Sequence, residues 1–136
     1  MSDWIMMIPS LVFTKLKRNF STKTMKKFNM TDENFSSLSN ANKEPTFPFV
    51  YLQLLPGIEI GEDLERTTIN GQELTFQVDV TDNCSKETAR LIMAEVLKGM
   101  KKMSFSVVGT PHEDNTDDTF RYIARFRRLI SKNDCL

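Results

Sequence analysis

Two stretches of strict alternation limit what this chain can fold into. Val50, Leu52 and Leu54 alternate with Phe49, Tyr51 and Gln53, and Leu74, Phe76, Val78 and Val80 alternate with Thr75, Gln77 and Asp79. A period of two is that of strands with one buried face, so both segments are expected to lie in one sheet. The connection between them, PGIEIGEDLERTTING, is far longer than a tight hairpin requires, and long connections in small domains usually meet something at a surface. Ile58, Ile60 and Leu64 are set among Glu59, Glu62, Asp63 and Glu65. That mixture predicts an arm, about residues 56–71, that packs either on its own subunit or on a second copy of the chain. Asn70-Gly71 suits a type I′ turn and equally a bulge opening the second strand.

The second half of the chain carries the clearest helix. Ser85 is a good N-cap, and Ala89, Ile92, Met93, Val96, Leu97, Met100 and Met103 form one apolar stripe. Lys101 and Lys102 suit its negative C-terminal end. A strand is expected over 105–109, then a turn-rich loop TPHEDNTDD, then a long strand TFRYIARFRRLI. In that last strand Phe120, Tyr122, Ala124 and Phe126 share one face, while Arg121, Arg125 and Arg127 share the other with Ile123 and Leu129. Two readings of the arginine face have equal standing. Either the guanidiniums pair across strands with acids such as Asp79, or they clamp carboxylates of a neighbouring subunit.

The first half is weaker in pattern. Trp4, Ile5, Ile8, Leu11, Val12, Leu16 and Phe20 recur at helical spacing, predicting one helix kinked at Pro9 and capped by Ser2 or Asp3. Residues 21–48 turn polar, with a short strand expected near 25–30 and a mobile surface loop at about 31–46, where Ser and Asn dominate.

With 136 residues the chain is expected to form a single domain over 1–136. Eighteen basic and eighteen acidic residues cancel, which removes the overall attraction to polyanions and disfavours a DNA-wrapping role. Cys84 and Cys135 match no metal or redox spacing and read as reduced thiols. Asp3 and Lys15 interrupt the apolar N-terminus, so the chain reads as soluble and unprocessed, with no membrane partner. His112 is the one histidine, and no nucleophile elbow, phosphate loop or dinucleotide fingerprint is present. Residues 112–118 are acidic but lack the ligand spacing of an EF-hand, so a solvated turn is the stronger reading. No enzyme activity, cofactor or metal is expected.

The expected fold is therefore α+β, a mostly antiparallel four-stranded sheet with two helices packed on one face. The stretches FPFVYLQLLPGIEIGEDLE, INGQELTFQVDVTDN, ETARLIMAEVLKGMKKM and DTFRYIARFRRLI, taken in that order, resemble the tail terminator (tail completion, or minor tail) proteins of long-tailed bacteriophages. The resemblance runs from about Phe47 to Ile130. It implies a structural protein whose homo-hexameric ring caps the head-proximal end of the tail tube, stops tube elongation and offers a docking surface to the head-tail connector protein. Its partners would be further copies of itself, the tube protein and the connector, with DNA only passing through the ring channel. It would be assembled in the bacterial cytoplasm and reside in the virion tail. A closed ring joins two different patches of each subunit, and the candidates are the arm (Ile58, Glu59, Ile60, Glu62, Asp63, Leu64, Glu65) and the basic strand (Arg121, Arg125, Arg127, Arg128). The alternatives are another neck component, such as a head-closure or connector protein, and a host α+β binding module or small enzyme of similar topology.

Overall fold

In the computed structural model, residues 4–37, 47–55, 71–115 and 119–131 are described. The element order is α1 (Trp4–Asn19), α2 (Thr22–Lys27), β1 (Phe35–Ser36), β2 (Phe49–Leu54), β3 (Gly71–Asp82), α3 (Lys86–Lys102), β4 (Ser106–Val107), β5 (His112–Glu113) and β6 (Phe120–Ser131). The strands form one sheet in the order β1-β2-β3-β6-β4, with β5 also on β6. All pairings are antiparallel except β1 with β2. The α+β class and the mostly antiparallel sheet match the alternation in the sequence. The described sheet nevertheless has six strands rather than four, and three α-helices rather than two.

The twelve-residue strands β3 and β6 pair over their full lengths, from Gly71 opposite Ser131 to Asp82 opposite Phe120. Their alternation sets the core. Leu74, Phe76, Val78 and Val80 of β3 meet Phe126 and Ala124 of β6 on one face, joined by Val50 and Leu52 of β2. Onto that face pack Ile8, Val12 and Leu16 of α1 and Ala89, Ile92, Met93, Val96 and Met100 of α3, the stripe read from the sequence. Phe76 is wholly buried and meets Phe105 edge-to-face at 5.6 Å. Each such side chain contributes about 1.5–3 kcal/mol through burial alone.

Gly99 sets how closely α1 and α3 approach. A Cβ there would stand 3.0 Å from Leu16 Cδ1 and 3.3 Å from Asn19 Cβ, and the Asn19 amide donates to the Gly99 carbonyl at 3.3 Å. The glycine lowers helix propensity by about 1 kcal/mol, and the close crossing it allows offsets that.

Two helices end with the same device. After α2, Asn29 takes φ 54°, its N–H reaches Lys26 O at 3.3 Å, and Met30 N–H reaches Met25 O at 2.8 Å. After α3, Ser104 takes φ 66°, its N–H reaches Lys101 O at 2.9 Å, and Phe105 N–H reaches Met100 O at 3.0 Å. This pair of bonds is the Schellman arrangement, and in both cases an apolar residue just past the end is buried.

The structure corrects four local expectations. The segment near 25–30 is helical, because Ser21 Oγ caps Thr24 N–H and the i, i+3 pair Met25 and Phe28 packs against the core. The polar loop expected over 31–46 contains a strand, Phe35–Ser36, held beside β2 by the buried Asn34. Its Oδ1 accepts from Thr31 N–H at 2.8 Å and its amide donates to Pro48 O at 2.7 Å. The turn-rich loop contains β5, while the strand expected over 105–109 reduces to Ser106–Val107. A single helix α1 runs through Pro9 as expected. The N-cap candidates Ser2 and Asp3, the rest of the polar loop at 38–46, the arm at 56–70 with Asn70, and Cys135 lie outside the described residues.

Candidate functional site

The sheet face away from the helices carries the polar constellation. Along β6 the residues of odd number turn to it, and the β3 residues opposite them are Thr81, Asp79, Gln77, Thr75 and Glu73. Arg121, Arg125 and Arg127 share this face, as the alternation required. Arg128 does not. It is half-buried and paired opposite Leu74, so it has the parity of Phe126 and Ile130 and turns to the helical side. It therefore lies on the other face of the strand from Arg121, Arg125 and Arg127.

The three arginines differ in how much of the guanidinium is used within the subunit. Arg121 pairs with Asp79 through one Nη and with Asp114 through the other, at 3.1 Å to the latter. Asp79, 6% exposed, also accepts from Gln77 Nε2 at 3.0 Å, and Gln77 Oε1 in turn accepts from Arg125 Nε at 3.1 Å. A continuous polar chain thus runs Asp114, Arg121, Asp79, Gln77, Arg125. The cross-strand pairing with Asp79 is present, made by Arg121 on the diagonal rather than directly opposite. Arg127 stands 3.6 Å from Glu73 through Nε. Among the described residues, the Nη groups of Arg125 and Arg127 have no partner, and both side chains are exposed beside Leu129, which is 66% exposed.

The acidic segment 112–115 is a tether. Glu113 accepts from Asn115 Nδ2 at 2.9 Å, from Lys86 Nζ at 3.1 Å and from the Tyr122 hydroxyl at 3.0 Å, tying β5 to β6 and to the first residue of α3. Those three donors hold the Glu113 carboxyl below the ordinary glutamate value, and Glu113 raises the Lys86 ammonium. Arg90 lowers Glu87. Burial alone would raise Glu95, but hydrogen bonds from Ser21 and Thr24 outweigh it and hold this carboxyl below its usual value. Each of these acids binds fewer protons when folded than when unfolded just below pH 4.5, the ordinary value, so its stabilisation is complete above that pH and is lost as pH falls. The melting temperature is expected to be level from pH 5 to 8 and to drop below about 4.5. Glu113→Gln should lower the plateau and shrink the acid drop, as followed by circular dichroism.

His112 is exposed on β5, opposite Ile123, and among the described residues no group of three or more His, Cys, Asp or Glu side chains is placed to hold a metal. No described helix is long and apolar enough to cross a membrane. Cys84 is an exposed free thiol.

A second polar surface was hidden by the zero net charge. The helical layer holds eleven of the eighteen basic residues: Lys15, Lys17 and Arg18 in α1, Lys23, Lys26 and Lys27 in α2, and Lys86, Arg90, Lys98, Lys101 and Lys102 in α3. Against them stand two acids, Glu87 and Glu95, leaving +9 on the helices and −9 on the rest of the chain. Charge counted element by element rather than over the chain is the signal that reveals it.

No protein-family model matches this sequence, and no curated protein does.

Proposed function

We propose that the chain is a non-catalytic, ring-forming assembly protein of a long-tailed bacteriophage, a tail terminator that caps the head-proximal end of the tail tube and presents a surface to the head connector. The observation that carries this reading is the exposed row of Arg125, Arg127 and Leu129 on a twelve-residue strand, where Gln77 and Glu73 engage the arginines through Nε and no described neighbour hydrogen-bonds their Nη groups. A sheet face with an apolar residue beside two cations suits a contact with a differently built, acidic patch, which is the heterologous contact a closed ring needs. The arm at 58–65, whose structure lies outside the described residues, is the sequence's acidic and aliphatic candidate for that partner patch. The order of strands and helix, and the resemblance read from the sequence, support the same assignment.

The test is tail assembly with this protein withheld. A terminator's absence gives overlong tubes under the electron microscope, and adding the purified protein back restores a fixed length. Tubes of normal length that fail to join heads would instead assign the chain to another neck component.

A further inference from the structure

We infer that the helical layer binds the phosphate backbone of duplex nucleic acid, with the crevice between the C-terminal ends of α1 and α3 as its centre. This crevice, about 190 Å³, is lined by Lys15, Arg18, Asn19, Lys102 and Met103. It brings three cations and a carboxamide to one concavity, on a layer whose net charge is +9 in a chain of net charge zero. Two of the cations, Arg18 and Lys102, are exposed, and Lys101 follows α3 to the same end. Cations at helix C-termini partly answer the helix dipole, yet that match leaves their charge in solvent and adds to the field a polyanion meets.

Two features select the backbone of a duplex over other polyanions. Among the described side chains of this layer the aromatics offer no stacking platform, since Phe20 is buried and Phe13 and Phe28 lie half-buried under Lys17 and Lys27 at 4.7 and 5.5 Å. Splayed single-stranded bases would need such a platform. A membrane surface would need a continuous outward apolar stripe, whereas Ile8, Val12 and Leu16 of α1 are turned into the core and, among the described side chains of that helix, Met7 and Leu11 are the exposed large hydrophobics. What remains is an array mostly of cations around one crevice, the chemistry of sequence-independent phosphate contact.

The inference stands apart from the ring reading. A monomer that binds duplex leaves it intact and defeats the ring, and rings that ignore duplex do the reverse. The experiment is fluorescence anisotropy of the full chain with a labelled 20-base-pair DNA, over a salt series, with oligomer mass measured in the same buffers. Binding is expected to saturate in 50 mM salt and to weaken steeply towards 200 mM. Arg18→Gln with Lys102→Gln should weaken it about tenfold and lower the slope of log affinity against log salt by about two, at about 0.9 per phosphate contact. Arg18→Lys with Lys102→Arg should restore both. No saturable binding in 50 mM salt overturns the inference. So does equal loss in the charge-preserving variant, or tighter binding to phosphatidylserine vesicles than to the duplex. The salt slope of the unaltered chain tests the claim even if a variant folds poorly.

Discussion

Arg125→Glu combined with Arg127→Glu is expected to leave a folded subunit that no longer closes into rings. The fold survives because neither side chain supports the core. Arg125 is exposed and contributes one hydrogen bond to Gln77, and Arg127 makes a 3.6 Å contact to Glu73 with half of its own side chain in solvent. Exposed pairs of this kind contribute about 0–1 kcal/mol each. The assembly suffers far more. Each ring contact would exchange two attractive charges for two repulsive ones, and losing one partner of a desolvated charge pair at an interface already costs about 2–5 kcal/mol. In the proposed ring that penalty would recur at every subunit junction. Size-exclusion chromatography with light scattering should show the subunit mass only, with an unaltered circular dichroism spectrum.

Arg121→Ala carries the second large effect, and it falls on the fold. Removing this side chain leaves the Asp79 carboxylate, 6% exposed, with Gln77 as its remaining side-chain partner. Breaking a buried pair from one side costs about 3–5 kcal/mol. Arg121 is 36% exposed, so water takes part of its place and the expected loss is about 2 kcal/mol. Arg125→Ala, on the same face, should cost less than about 1 kcal/mol. Combining Asp79→Ala with Arg121→Ala should lose less than the sum of the two single changes, because the second removes the charge that the first had stranded. Urea titrations of the four proteins measure this directly. Simple additivity would mean that the pair is solvated and structurally idle. The same geometry makes Arg121 a poor probe of assembly, since a glutamate there would face Asp79 and Asp114 within its own subunit.

How much of this was legible depended on length and period. β2, β3, β6 and α3 carry enough residues for a period of two or 3.6 to show, and the sequence placed each of them and most of its buried face, Leu54 at the end of β2 being exposed and Ile123 on the arginine face being buried. β1 and β5 are two residues each and have no period to read. Phe35–Ser36 is a strand because Asn34 bonds to a carbonyl fourteen residues later, a contact that no local pattern announces. In α2 the Ser21 cap and the spacing of Met25 and Phe28 were present, but six residues between polar neighbours gave a weak helical signal. On the sheet, parity alone put Arg121, Arg125 and Arg127 with Asp79 and Gln77 on one face and should have set Arg128 apart. Which arginine spends its guanidinium internally was not legible, because it depends on the diagonal offset between β3 and β6 and on Asp114 arriving from β5. The charge on the helices was in the sequence throughout, concealed by summing over residues that fold into different layers.

The central claim is that this chain works by assembling, through the exposed basic row of β6. Its most direct test is the mass of the purified protein in solution, measured by native mass spectrometry across a concentration series with and without purified tail tubes. The account predicts a closed ring, six subunits by the resemblance, either free at high concentration or seated on tube ends. A chain that stays single at every concentration and leaves the tube ends bare would contradict it.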